Sequence, residues 1–164
     1  MTPRGWINFA IVVGGASGAL TGLLFVAVSL SIQKLVERPT LRASAAQTLI
    51  VFILPLLVAI LLATPGQLPW SVGVELTVLG IFAGVAMATI GRRKQTAERE
   101  EEARLSRMLG RTSPNLLTSL LITVAGVSVL THVGGGLYWL VPATMTALAG
   151  GVANTWLFLT RLPS

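Results

Sequence analysis

The chain has 164 residues, 53% of them hydrophobic and 11% charged, against roughly one quarter charged in a soluble domain. It contains no cysteine and no aspartate and a single histidine, His132, which excludes disulfides, thiolate metal sites and most catalytic constellations. The formal net charge of +6 points to membrane topology and anionic headgroups rather than nucleic acid, because the basic residues sit almost wholly between apolar stretches.

A helix rises about 1.5 Å per residue, so a hydrocarbon core of about 30 Å needs roughly 20 apolar residues. Five stretches qualify, and they predict a single domain over residues 1–164. The first runs from Trp6 to Gln33. Its Ala16-Ser17-Gly18-Ala19 has the small-residue character of a signal-peptide cleavage site, but the apolar run continues to Leu30, so the segment reads as a retained helix. The second runs from Ala45 to Thr64, almost all Leu, Ile and Val around Pro55, and reads as the lipid-facing helix. After the turn Pro65-Gly66-Gln67-Leu68-Pro69, the third runs from Trp70 to Gly91.

The connection 92–113 is the one extended polar segment. Glu98 to Met108 predicts a cytoplasmic helix, with Glu100 and Arg104 in the favourable order four apart. Gly110 is its stop, and Ser113-Pro114 cap the next helix. The fourth stretch runs from Pro114 to Val133 and the fifth from Leu137 to Thr160. Pro55 and Pro142 are expected to kink their helices.

Charge placement orients the bundle. Lys34, Arg38 and Arg42 lie between the first and second stretches. Arg92, Arg93, Lys94, Arg99, Arg104, Arg107 and Arg111 lie between the third and fourth, and Arg161 follows the fifth. Of the 12 Lys and Arg, only Arg4 falls on the opposite side. The positive-inside rule makes the crowded side cytoplasmic. Trp6, Trp70, Tyr138 and Trp139 fall at the other boundary, where amphipathic rings favour the headgroup level. The fold expected is an all-α integral membrane protein, a bundle of five transmembrane helices. Its N-terminus is outside, its C-terminus cytoplasmic, and its location a plasma (inner) membrane.

Small residues mark the packing faces. Gly14, Gly18 and Gly22 recur every four residues, each advancing only about 40° around the axis. The third stretch carries Gly73, Thr77, Gly80, Gly84 and Ala88, and the fifth Thr146, Gly150 and Asn154; Ser119, Thr123 and Gly126 also cluster on one face of the fourth, where hydroxyls can satisfy themselves on their own backbone carbonyls. In lipid, close approach through small residues supplies van der Waals contact within one chain or between chains. Gly14, Gly18, Gly22, Gly80, Gly84 and Gly150 are therefore candidates for helix packing or oligomer contacts.

Three polar residues are out of place in lipid. Glu75 is the only acidic residue inside a predicted span. It lies about 200° around the helix from Gly73, so it faces away from the glycine stripe toward water, a partner or a polar residue, since a charge in hydrocarbon is costly. A pore entrance satisfies that need, because acidic groups at a mouth concentrate cations. His132, at a similar level, is a partner for Glu75 or an interface residue, and imidazole titrates near neutrality. Asn154, mid-span, is packing glue or lines a pathway.

These features favour an oligomeric channel or small transporter for a cation or proton. Glu75, His132 and Asn154 are its pathway candidates, and the path runs between subunits because five short helices barely enclose one. The alternative is a regulatory or assembly subunit gripping a larger membrane or cytoplasmic protein. An intramembrane enzyme with Glu75 and His132 as acid and base ranks third, having neither nucleophile nor metal. The expected partners are the bilayer, anionic headgroups at the cytoplasmic face and further copies of the chain. No cofactor or metal is expected.

Overall fold

The computed structural model describes residues 3–30, 32, 39–97 and 114–160. Within them the chain is all-helical, without strands. Five helices follow one another: α1 (Ile7–Leu30), α2 (Pro39–Ala63), α3 (Pro69–Ala97), α4 (Pro114–Thr131) and α5 (Leu140–Thr160), with short 3-10 turns at Pro3–Trp6 and Gly136–Trp139. The expected helix at Glu98–Met108, with its stop at Gly110, and the basic residues Lys34, Arg38 and Arg161 lie outside the described residues.

The boundaries follow local chemistry. Proline at the first position of α2, α3 and α4 is pre-set for a helix and lacks an N–H that would be unbonded there anyway. At the start of α3 the Leu68 carbonyl accepts from the N–H of Ser71 at 3.0 Å and of Val72 at 3.3 Å. The third helix runs on to Ala97, six residues past its expected end at Gly91, because nothing in Arg92-Arg93-Lys94-Gln95-Thr96 breaks a helix. Pro142 falls in the first turn of α5, where the backbone N–H groups have no helical partner. The kink expected there therefore has no cause, and among the described residues Pro55 is the proline in a helix interior.

Four segments are long and apolar enough to cross a membrane: residues 7–30, 45–63, 69–90 and 136–153. The apolar run described in α4, Leu116–Thr131, is shorter; it ends where His132 enters the left-handed region at φ 56° and Gly134, Gly135 and Gly136 follow with φ of 87°, 94° and 57°.

Helices α2, α3, α4 and α5 form a closed ring in which each touches the next and α5 returns to α2; α1 packs on the outside of α2. The ring's centre is filled with apolar side chains, including Leu54, Val58, Leu62, Val72, Leu76, Ile122, Leu140 and Ala143. The second helix is therefore not the lipid-facing one. Half of its apolar window (50%) is buried, against 17% for α1. Being apolar all round suits a helix with neighbours on several sides, and α2 has α1, α3 and α5. The outermost helix is α1, whose Ile11, Val12, Leu23, Phe25 and Leu30 are exposed.

Small residues set the closest approaches. A Cβ on Gly80 would lie 2.7 Å from the Thr123 nitrogen and 3.0 Å from the Ser119 carbonyl oxygen. A Cβ on Gly126 would lie 2.8 Å from the Gly73 oxygen and closer still to Thr77. The stripe of α3 and the Ser119-Thr123-Gly126 face of α4 are thus two halves of one backbone-to-backbone crossing. The hydroxyls along it need no partner across the contact, since Thr77 donates to the Gly73 carbonyl (2.7 Å) and Thr123 to that of Ser119 (2.9 Å).

Candidate functional site

One end of the bundle gathers the residues of interest. There the ends of α2 and α4 meet the starts of α1, α3 and α5. Trp6 stands edge-on to Phe9 (5.3 Å between centroids) and to Tyr138 (5.2 Å), tying the N-terminal turn to the entry of α5.

The loop after α4 is held by its own residues. The Ser128 hydroxyl donates to the Val133 carbonyl and accepts the Gly136 N–H at 2.8 Å. The Trp139 indole N–H donates to the Gly134 carbonyl at 2.6 Å. Three consecutive residues at positive φ explain why three glycines stand here, since a Cβ is strained in that region. The loop frames an open cleft of about 250 Å³ lined by Pro69, Val72, Ser128, Val129, His132 and Leu137, among others. His132 is exposed on its rim.

Glu75 lies elsewhere at the same end. It is half-buried, between the buried Val72 and Leu76 and the outer surface of α3. Its Oε2 accepts the Gln67 side-chain N–H at 3.0 Å. The pairing of Glu75 with His132 entertained from sequence does not form. Gly73 faces α4, against Leu130 and Gly126, and Glu75 is about 200° around from it. It therefore points away from the helix whose end carries His132.

Gln67 is the residue that sequence reasoning overlooked. It sits between Pro65 and Pro69 in the turn joining α2 to α3, eight positions before Glu75 and outside the helix that carries it, so helical periodicity does not relate the two. The turn folds it back onto α3. Its Oε1 is sealed from solvent and has no hydrogen-bond partner. A lone polar residue in an otherwise apolar tight turn was the available signal.

The remaining candidates separate into three groups. Gly80, Gly84 and Gly14 meet neighbours within the chain: Thr123 and Ser119 for the first two, and the Ala59 methyl at 3.2 Å from a Cβ on Gly14. Gly18 and Gly22 have nothing within 4 Å of such a Cβ and open outward. Gly150 is half-buried in α5, next to Gly151, whose Cβ would meet the ring of buried Phe52 at 2.8 Å. Asn154 belongs to the α5 backbone, and its side chain lies outside the described residues. Among the described residues no group of three or more His, Cys, Asp or Glu comes together.

Among the described residues, four helices of membrane-crossing length and composition, with many large apolar side chains exposed, are the marks of a membrane protein. No family model matches the chain, and neither a curated protein nor a solved structure is similar to it.

Proposed function

We propose that the protein spans the plasma membrane five times with its N-terminus outside, and that copies of it assemble into a channel or small transporter for a cation or proton. In this reading α4 is the short crossing: its 18 residues cover about 27 Å. The end holding Trp6, Glu75 and Tyr138 is then the outer face.

The observation that carries the reading is Glu75. A carboxyl group placed inside an apolar helix, half-buried and bonded to a neutral amide, is costly in lipid and marks ion and proton paths. The ring of α2 to α5 is filled with side chains, so the path runs between chains, beside the flank of α3 that bears Glu75. Acidic groups contributed by several copies would then concentrate cations at the outer mouth. The test is ion flux into liposomes holding the purified protein. Glu75→Gln is expected to lower cation flux and abolish its preference over anions; unchanged flux in the variant would refute the role of Glu75.

A second reading is favoured by α1. Gly18 and Gly22 open outward with no neighbour, on a helix whose large side chains are mostly exposed. A face of that kind suits a helix of another protein, making the chain a regulatory or assembly subunit of a larger membrane protein. Absence of flux for every ion, together with co-purification of a partner that Gly18→Leu releases, would favour it.

A further inference from the structure

We infer that Gln67 and Glu75 form a proton-binding pair, in which the buried amide oxygen of Gln67 is the acceptor for a proton carried on Glu75. The inference rests on the transport reading above and narrows its ion to the proton.

The amide is already committed on one side. Its N–H donates to Glu75 Oε2 at 3.0 Å, which is the contact a carboxylate accepts. Its other polar atom, Oε1, is sealed from solvent and bonded to nothing. A buried acceptor without a donor is unfavourable. No residue of the neighbouring helices relieves it.

A protonated Glu75 carries the donor that the pair lacks. A carboxylic acid and a carboxamide each carry one donor and one acceptor on adjacent atoms. Facing one another, they close a ring of two hydrogen bonds: amide N–H to carboxyl C=O, and carboxyl O–H to amide C=O. The first of these bonds is in place. Adding a proton from water to the other carboxylate oxygen completes the second and leaves no polar atom of the pair unbonded. If the amide turns over instead, two oxygens meet at the same 3.0 Å, an arrangement that only a shared proton or cation stabilises. A hydrated metal ion fits less well, because Oε1 has no contact with solvent.

Among the described residues, the surroundings leave the pair to itself. The helices packed against α3 are α2 and α4, and neither carries a titratable residue between 43 and 63 or between 114 and 131. His132 lies on the cleft side, Tyr138 against Trp6, and Arg4 belongs to the turn before α1. Proton uptake therefore changes the charge of an apolar flank by one unit, with Gln67 holding both states in one geometry. Alternation between a charged and a neutral carboxyl at the mouth is what a proton path requires.

The experiment uses the full chain in lipid, with infrared difference spectra between neutral and acid pH and, in parallel, proton and sodium flux into liposomes. A carboxylic acid C=O band is expected on acidification. Of the bands from the chain's six glutamates, the one lost in Glu75→Gln is that of the pair, and it should move to higher frequency in Gln67→Met, whose thioether is a poor acceptor. Proton flux in Gln67→Met is expected to fall by about fivefold to tenfold, the weight of one hydrogen bond. Gln67→Glu keeps an oxygen acceptor and should retain flux, which separates the lost acceptor from a folding defect. A band unmoved in Gln67→Met, or no band lost in Glu75→Gln, overturns the pair even if Glu75→Gln still blocks sodium flux. The full set of band shifts without flux of any ion would instead leave the proton site standing and refute transport.

Discussion

Gly126→Ala tests the central packing claim with a single methyl group. The added Cβ would sit 2.8 Å from the Gly73 oxygen and still nearer the Thr77 backbone, where ordinary contact needs about 3.5 Å. Both obstacles are backbone atoms, so no rotamer change relieves them, and α3 and α4 must separate by roughly 0.7–1 Å. A gap of that size forfeits a quarter to a half of the dispersion energy along the crossing. Overpacking of this kind costs about 1–3 kcal/mol, while alanine in place of glycine in a helix returns up to about 1 kcal/mol. The net expectation is a loss of up to about 2 kcal/mol. Gly22→Ala is the control: nothing stands within 4 Å of its Cβ, so only the propensity gain of up to about 1 kcal/mol applies. Tryptophan fluorescence during thermal unfolding in detergent, and equilibrium unfolding at rising SDS fraction, would rank the three proteins. Gly126→Ala as stable as Gly22→Ala, or Gly22→Ala destabilised equally, would refute the assignment of the close contact to α3 and α4.

Two further outcomes follow from the loop and the topology. His132 holds φ 56° at the end of α4, a conformation that costs an L-residue roughly 1–2 kcal/mol. His132→Gly should thus unfold within about 1 kcal/mol of the native protein, the lost strain offsetting the greater freedom of glycine in the unfolded chain. His132→Val should lose about 1–2 kcal/mol, since branching at Cβ makes that region worse; an unfolded glycine variant would show that the imidazole itself holds the loop. Because the chain has no cysteine, each introduced thiol is a unique label. Thr64→Cys and Val133→Cys should react with an impermeant maleimide in intact cells, Gln95→Cys and Ser106→Cys only after permeabilisation. The reverse pattern would invert the proposed orientation, and labelling at all four sites in intact cells would count against membrane insertion.

Much of the helical layout was legible in the amino-acid order. Composition and the spacing of Pro69, Pro114 and Gly134 to Gly136 separate the helices within a few residues, because proline and glycine act on their own backbone and need no neighbour. The gathering of Trp6, Tyr138, Glu75 and His132 at one end follows from counting short connections. The helical period likewise turns Glu75 away from the glycine stripe.

Tertiary structure decided what those residues meet. An all-apolar helix has no polar face to orient it, so nothing in the pattern of α2 distinguishes lipid from protein as its surroundings; only the packing makes it the hub of the ring. Equivalent glycine repeats also ended differently. Those of α3 lie against the α4 backbone, while Gly18 and Gly22 face outward, because small residues permit close approach without specifying the partner. The pairing of Gln67 with Glu75 spans a turn, and its geometry depends on how that turn folds back onto α3. Periodicity describes one element at a time, whereas contact between elements is a property of the three-dimensional arrangement alone.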